Sequence, residues 1–575
     1  MPFDFPLIPT LALLSLLSLT LYKFLLHPLF LSPLSRIPNA HWSIPLSSLW
    51  ILHHRLFQRD TPTIQSLHSI LGPIIRLAPN EISVNCVNGG LRTIYAGGFE
   101  KGNWYSNVFS NYGVQPMFAM EGHREHAGRK RMLSHVYAKS TVLGSTALER
   151  QTEVIVHERL RRRLREECHG KENGAVVEFY DLFCAVTMDF VSGYVFGMKN
   201  GTDYVWAQRE DGNKLFHDFK ARQKYTFWPQ ECPGSTRLLG KLGLKWLLVP
   251  EWVDGANQDL EAWLLRMCEK ARETRKVMDK GGKVEEEDVP SVYCQLEAAL
   301  VKEKMRDNGS KKTKEEHADD LKIEIASELL DHTLAGFDTS SITLTWLAWE
   351  LSKPHNLHWQ TLLQEEITST LGDDLDAKAI DNLPTLHAIL METLRLHAAI
   401  PGQQPRSTPF NTSTTLGDPD TGTVYHNIPP NTRVQSQAWS LHRNPTVFSE
   451  PNNWLPDRWL QKTTPSSTSS SPTSKVQYTA RTADQLRDQT RHFWAFGSGG
   501  RMCVGSNLAM LDMKATVVGV WGKFSTMIED DEGMVPNGGY MAEPLGVGRG
   551  GKKGIGGKYT GGGGDGEGEG RRFWG

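Results

Sequence analysis

Residues 496–505 read Phe-Gly-Ser-Gly-Gly-Arg-Met-Cys-Val-Gly, and this stretch decides the interpretation of the chain. A single thiol, Cys503, lies in a glycine-rich loop, with Arg501 two residues before it and an apolar, helix-like run after it. The thiol has no cysteine or histidine partner at metal-ligand spacing, so the loop cannot build a closed zinc site. Glycines let backbone N–H groups approach a sulfur, and such hydrogen bonds tune its donor strength. Such a thiol can instead supply one axial thiolate ligand to a haem iron.

The same loop resembles the haem-binding loop of the cytochrome P450 family. The resemblance implies that Cys503 is the axial ligand of the iron in haem b. It also implies that Arg501 pairs with a haem propionate, for which a guanidinium is well suited, and that Phe496 packs at the haem edge and shields the sulfur. The alternative is a structural cysteine beside the start of a helix, which is common for an isolated cysteine.

The bulk composition allows a large core and gives no indication of nucleic-acid binding. The chain has 575 residues, a formal net charge of −2 and 39% hydrophobic residues, and near-neutral charge lacks the basic footprint that nucleic acids require. Seven cysteines are scattered along the sequence. An odd, sparse set argues against a disulfide framework and favours a reducing compartment.

The N-terminal region predicts a membrane anchor. Residues 5–26 are almost entirely apolar, and as a helix they would extend about 33 Å, enough to cross a bilayer core. Lys23, His27 and Arg36 lie at the far end, so the positive-inside rule places the following domain in the cytosol. A cleaved signal peptide is the alternative, but the segment has no basic residues before its apolar run. We expect a single-pass protein of the endoplasmic reticulum.

The resemblance implies a fold that is mainly α with a small β-sheet region, preceded by one transmembrane helix. Short β-type runs at 74–77 and 81–84 fit that region, and the chain from about 117 to 380 has mostly helical patterning. The expected organisation is an anchor and neck (1–36), a haem domain (37–545) in which 461–490 contains a disordered Ser/Thr-rich insertion, and a glycine-rich flexible tail (546–575). Residues 540–544 are expected to begin a hairpin that lines the substrate pocket.

A second motif, Leu-Ala-Gly-Phe-Asp-Thr-Ser at 334–340, lies in a long apolar stretch. Glycine inside a helix costs about 1 kcal/mol, so Gly336 requires a reason, and one is close approach of a ligand. The motif resembles the oxygen-binding groove of the family. The resemblance implies that Asp338 and Thr339 form the acid–alcohol pair that relays protons for O–O cleavage. The alternative is a core helix whose threonine bonds to its own backbone.

Two sets of charged residues complete the predicted site. Glu392 and Arg395, three apart on one helix face, and the later Arg458 occupy the positions of the buried structural triad of the family. Cations expected near the haem propionates are Arg406 and a group in the segment 126–131. The family pattern has an aromatic residue or His four residues before an Arg. His126 fits it, but the position four later is Lys130 rather than Arg, so Arg129, Lys130 and Arg131 compete for the contact.

Together, these matches imply a haem-thiolate monooxygenase that oxidises a lipophilic small molecule with O2 and electrons from NADPH, delivered by NADPH–cytochrome P450 reductase. The sequence resembles members of the family from filamentous fungi that act in secondary metabolism. The expected pocket walls are Phe118, Leu334, Ala335 and Ile400. One alternative is a haem-thiolate isomerase or dehydratase, which commonly lacks the acid–alcohol pair. The other is a non-catalytic membrane haem protein.

Overall fold

The computed structural model describes residues 7–171, 174–308, 314–460, 483–546 and 556–561. The predicted Ser/Thr-rich insertion falls within 461–482, outside these residues. Helices dominate the described chain, which confirms the predicted fold class.

The helices, in chain order, are α1 (Leu7–Leu21), α2 (Leu49–Leu56), α3 (Asp60–Leu71), α4 (Ser106–Phe109), α5 (His123–Leu133), α6 (Lys139–Val142), α7 (Thr146–Glu153), α8 (Arg162–Cys168), α9 (Phe179–Phe196), α10 (Arg209–Gln223), α11 (Phe227–Glu231), α12 (Pro233–Lys241), α13 (Glu251–Asp279), α14 (Ser291–Asn308), α15 (Lys314–Asp320), α16 (Lys322–Ser352), α17 (Leu357–Thr370), α18 (Ala377–Asp381), α19 (Pro384–Leu396), α20 (Ala438–His442), α21 (Ala483–His492) and α22 (Ser506–Trp521). Further helical segments are Tyr22–Leu31, Pro33–Arg36, Val87–Ala96, Val154–Arg161, Lys224–Thr226, Lys245–Leu247, Glu286–Asp288, Pro354–Asn356, Pro456–Trp459 and Gly499–Arg501.

The strands form three small sheets. They are β1 (Ile74–Ala78), β2 (Glu81–Val84), β3 (Ala175–Glu178), β4 (Arg406–Ser407), β5 (Thr414–Asp418), β6 (Thr423–Ile428), β7 (Arg433–Gln435), β8 (Phe524–Ile528) and β9 (Gly556–Gly561). The largest sheet has the order β1-β2-β7-β4, with β2 and β7 parallel and the other pairs antiparallel. The strands predicted at 74–77 and 81–84 are β1 and β2, with Ile74 opposite Val84.

The core is built around the pairing of α9 with α16. Nearly every residue of α9 is buried, so its apolar sequence, although long enough for a membrane span, packs in the centre of the core. The hydroxyl of Thr187 in α9 donates to the carbonyl of Phe337 in α16 at 3.0 Å. This bond fixes the register of the two helices at the point where α16 carries the 334–340 motif.

The N-terminal helix is apolar and exposed. Residues Thr10–Leu31 have a mean hydropathy of 1.5 and none of that helix is buried against the rest of the chain. Only its far end touches the described domain, where Arg76 donates to the carbonyl of Pro28 at 3.1 Å. An apolar helix of 22 residues with so little packing has the length and surface of a membrane-spanning segment.

Part of the predicted flexible tail differs from expectation. Residues 556–561 form β9, which pairs antiparallel with β3 on one side and β8 on the other. The backbone N–H and C=O groups of a glycine-rich strand pair as well as those of any other, and two flanking edges supply both partners. The rest of the tail beyond residue 546 lies outside the described ranges.

Candidate active site

A cavity of about 270 Å³ lies between the 494–505 loop and helix α16. The predicted site residues that line it are Cys503, Arg501, Phe496, Arg406, His126 and Thr339. They come from four separate parts of the sequence. Asp338, Lys130 and the triad residues lie outside the cavity wall.

The glycines of the loop have specific backbone roles. Gly499 has φ +70°, and a Cβ at this position would lie 2.3 Å from the carbonyl oxygen of Tyr95. Only glycine tolerates both the left-handed conformation and this approach. The loop then closes on itself, because the amide of Cys503 donates to the carbonyl of Phe496 at 3.0 Å. Trp494 donates from its indole to the hydroxyl of Ser498 at 2.9 Å and braces the loop from behind.

The thiol of Cys503 is the exposed end of this loop and faces the cavity. Burial within the protein raises the pKa of the thiol, whereas the backbone N–H groups of Gly505 and Ser506 and the ammonium of Lys130 lower it. Those N–H groups belong to the start of α22, where the helix dipole favours negative charge. Lys130 and the two N–H groups therefore favour the thiolate form, and burial of the thiol opposes them.

Three cations without carboxylate partners meet at one end of the cavity. Lys101 and Arg406 are buried, and Arg501 donates only to the carbonyls of Met120 and Glu121, at 2.6 and 2.7 Å. Burial lowers the pKa of Lys101, and the positive charges of Arg406 and Arg501 lower it further. In the parts of the chain described, none of the three forms an ion pair. Buried cations that repel one another require anions, so this cluster fits an anionic ligand such as the two propionates of a haem.

Lys101 was not predicted from the sequence. It sits in a loop between apolar and aromatic residues, and no periodicity marks a loop lysine as buried. Its ammonium lies 4.1 Å above the ring of Tyr105 and 4.0 Å above that of Phe118. The aromatic run around it was the available signal, since rings of this kind stabilise a desolvated cation.

The charged residues of the 126–131 segment have different partners. His126 is buried and lines the cavity. Lys130 instead donates to the carbonyls of Gly500 and Met502, at 3.0 and 2.8 Å, and so holds the cysteine loop from outside. Arg129 pairs with Glu324 and Glu328 of α16, and Arg131 is exposed. Of this segment, only His126 is placed to reach a haem directly.

Helix α16 supplies the opposite wall. Thr339 lines the cavity, and its hydroxyl donates to the carbonyl of Ala335 at 2.9 Å. Gly336 lines the cavity too, but a Cβ there would lie 2.7 Å from Cγ2 of Val191 in α9. Close packing of α9 therefore requires the glycine, in addition to any approach by a ligand.

Asp338 faces away from the cavity. Its carboxylate lies 2.5 Å from the ammonium of Lys220 in α10 and accepts a hydrogen bond from Gln223 at 3.1 Å. Burial raises the pKa of Asp338, while Lys220 opposes that shift. Consecutive residues of a helix point about 100° apart, so the predicted acid and alcohol are adjacent in sequence but lie on different sides of α16.

The predicted triad is assembled and fully buried. Glu392 accepts two bonds from Arg395, at 2.8 and 2.7 Å, and one from Arg458 at 3.1 Å. Arg395 also donates to backbone carbonyls of the segment 442–453. Because every charge is paired and hydrogen-bonded, the triad fixes α19 against the segment that leads into the cysteine loop.

Three of the four residues that were expected in the pocket wall line the cavity. Phe118, Ala335 and Ile400 line the cavity, whereas Leu334 packs against the hydrophobic core. Residues 535–545 fold back on one another, and the amide of Leu545 donates to the carbonyl of Val535 at 3.0 Å. The segment 540–544, expected to begin a hairpin, is therefore the returning side of this one. Cavity-lining residues that the sequence did not reveal include Tyr540 from this hairpin and Asp331 from α16.

Comparisons with known proteins agree with this geometry. A family model described as Cytochrome P450 matches residues 248–542. A protein from Aspergillus versicolor named cytochrome P450 monooxygenase avaI is 24% identical over 76% of this chain and 92% of its own length. Another from Aspergillus terreus, cytochrome P450 monooxygenase tazI, is 24% identical over 85% of this chain and 87% of its own. Tryprostatin B 6-hydroxylase from Aspergillus fumigatus is 25% identical over 90% of this chain and 78% of its own.

Proposed function

Because the chain belongs to the cytochrome P450 family and is a monooxygenase of that family, we propose that it oxidises a lipophilic small molecule with electrons that originate from NADPH. The electrons would come from NADPH–cytochrome P450 reductase. The observation that carries the proposal is the cavity, which has a thiol on one wall, a threonine on the other and three unpaired cations at one end. The proposed setting is fungal secondary metabolism.

The residues that would hold haem b are divided by role. Cys503 would ligate the iron, Phe496 would shield the sulfur, and His126, Lys101, Arg406 and Arg501 would face the propionates. When bound, the haem supplies reductive activation of O2, and the thiolate ligand favours O–O cleavage. Glu392, Arg395 and Arg458 would act only through the backbone that they hold.

Proton delivery is assigned to Thr339 and Asp338. The hydroxyl of Thr339 faces the cavity and can accept and donate a proton there, directly or through water. Asp338 can serve Thr339 only when its side chain rotates away from Lys220, because the carboxylate now points towards α10. The ammonium of Lys220 would return the carboxylate to its resting position afterwards.

The apolar helix at Thr10–Leu31 supports a single-pass anchor in the endoplasmic reticulum membrane, with the haem domain (37–545) in the cytosol. A lipophilic substrate would reach the site from the same membrane. The isomerase alternative is not favoured, because Asp338 and Thr339 are both present and the relatives above are named monooxygenases and a hydroxylase.

The carbon monoxide difference spectrum of the reduced, membrane-bound protein tests the proposal, with Cys503→Ala as the variant. We expect a red-shifted Soret band that the variant lacks, and NADPH consumption that depends on added reductase. A haem-loaded protein without this band would contradict thiolate ligation. A band without reductase-dependent NADPH consumption would contradict the monooxygenase proposal instead.

A further inference from the structure

Two carboxyl groups that the proposed chemistry does not use line the cavity, those of Asp331 and Asp512. Asp512 in α22 is buried at 4% exposure, so Asp331 is the more exposed of the two. Asp331 lines the cavity on α16, two helical turns before Thr339. Its neighbours Leu330, His332 and Thr333 are buried, at 2%, 9% and 0% exposure, whereas Asp331 is only half-buried. Since it lies inside the domain wall, the space that exposes it is the cavity itself.

Neighbouring donors form their hydrogen bonds with other acceptors. Lys101 donates to the carbonyl of Phe118, and His332 bonds to the hydroxyl of Tyr137 at 2.8 Å and faces Glu328 at 3.3 Å. Arg129 is paired with two glutamates of the same helix. Within the described residues, Asp331 has no hydrogen-bond or ion-pair partner.

The electrostatics agree with a carboxylate directed into the cavity. Burial has the largest effect on the pKa of Tyr137, Cys503 and Tyr540, and the charge of Asp331 raises the pKa of each further. These three residues belong to separate parts of the cavity wall. Burial also raises the pKa of Asp331 itself to about 7, as expected for a carboxyl that lacks donors.

A buried polar group without a partner is costly, so such a group in a ligand cavity is normally satisfied by the ligand. Phe118 and Ile400 on the same wall offer apolar surface to the body of a lipophilic ligand. We propose that Asp331 is a specificity-determining residue that accepts a hydrogen bond from a hydroxyl or amine N–H group of the substrate. The proposal rests on the proposed function and narrows its substrate class to lipophilic molecules that carry such a donor.

Pairs of 1-alkylimidazoles and 1-(ω-hydroxyalkyl)imidazoles test this in the full-length holoprotein. The imidazole binds haem iron and reports binding through the Soret band, while the chain carries the hydroxyl along the cavity. Chains of about four to ten carbons cover the roughly 12 Å of helix rise between residues 331 and 339. At a pH above the pKa of about 7 of Asp331, where the carboxyl is ionised, we expect the best hydroxylated probe to bind at least about tenfold more tightly than its alkyl partner, as for a hydrogen bond to a charged group.

In Asp331→Leu this preference should fall to about one, while the affinity for the alkyl probes stays within about twofold. Asp331→Asn keeps the size of the side chain but removes its charge, so the preference should weaken at least about threefold. This variant tests the proposal if the leucine variant does not fold. The exposed Asp374→Asn is the matched control and should keep the preference. Equal affinity within every wild-type pair, or a preference that survives removal of the carboxylate, would overturn the proposal. Failure of the proposed function appears separately, as the absence of the thiolate-haem band.

Discussion

Replacing His442 with phenylalanine should detach the cysteine loop from α19. The buried imidazole of His442 donates from Nδ1 to the carbonyl of Arg395 at 2.7 Å and accepts at Nε2 from the amide of Trp494 at 2.7 Å. One ring thus joins the triad helix to the segment that enters the haem-binding loop. It also stacks on Phe493, with centroids 5.6 Å apart, so phenylalanine keeps the shape and removes both bonds.

The expected cost follows from the two groups that the variant leaves unsatisfied. A buried donor or acceptor that loses its partner costs about 1–3 kcal/mol, so the Trp494 amide and the Arg395 carbonyl together give a loss of about 2–6 kcal/mol. The exposed His355→Phe is the matched control, and its effect should stay within about 0.5 kcal/mol. Urea unfolding of the full-length protein, followed by tryptophan fluorescence and by loss of the thiolate-haem band, measures both.

The same histidine should make stability depend on pH. Burial and the neighbouring charge of Arg395 lower the pKa of His442 to about 3, below the ordinary value of 6.5 that it regains on unfolding. Below pH 6.5 the unfolded chain binds the proton more readily, so stability is fully present above that pH and falls as the pH drops towards 3. At about 1.4 kcal/mol per pH unit, His442 accounts for a loss of about 3 kcal/mol between pH 6.5 and pH 4.

His442→Phe lacks this contribution, so its stability should fall less steeply with acid than that of the wild type. Other buried histidines, such as His68, titrate in both proteins and cancel in the difference. Identical pH slopes for the two proteins between pH 7 and pH 4 would refute the assignment of a neutral, doubly bonded His442. An unchanged free energy of unfolding at pH 7 would refute its role as the link between α19 and the loop.

Two further outcomes are expected. Gly499→Ala places a Cβ 2.3 Å from the Tyr95 carbonyl at φ +70°, so the loop should change its conformation and the thiolate-haem band should fall to a small fraction of its wild-type amplitude. The control is Gly505→Ala, where nothing lies within 4 Å of a Cβ. Equal loss of the band in both variants would contradict the argument. The Thr339→Ala variant should still consume NADPH, but the product formed per NADPH should fall at least about tenfold, because the cavity loses its proton-carrying hydroxyl. An unchanged ratio of product to NADPH would exclude Thr339 from the relay.

The sequence could predict those features that are local in the chain. The 496–505 loop carries its own glycine geometry, and Glu392 with Arg395 share a helix face by spacing alone. The strands β1 and β2 and the long helix α16 follow from periodicity. Arg458 was reached only through family resemblance, since nothing in its spacing links it to a helix more than 60 residues earlier.

The sequence could not predict the side-chain directions and residue pairings that tertiary packing sets. Asp338 and Thr339 are neighbours, yet the ion pair with Lys220 turns the acid towards α10, and Lys220 is more than 100 residues away in sequence. Gly336 has a packing reason, contact with Val191, that only the crossing of α9 and α16 reveals. Strand β9 forms in a segment whose composition indicates a flexible chain, because β3 and β8 present open edges on both sides.

The charges around the cavity also link cofactor binding to folding. Lys101, Arg406 and Arg501 come from three elements and meet with no anion among the described residues. Asp331 lines the same cavity, but none of the three reaches it within ion-pair distance. A haem with two propionates would neutralise two of the three positive charges. Most of the positive charge of this cluster is therefore balanced only with the cofactor in place, and part of the free energy of haem binding should appear as stability of the loop at 97–122, which carries Lys101.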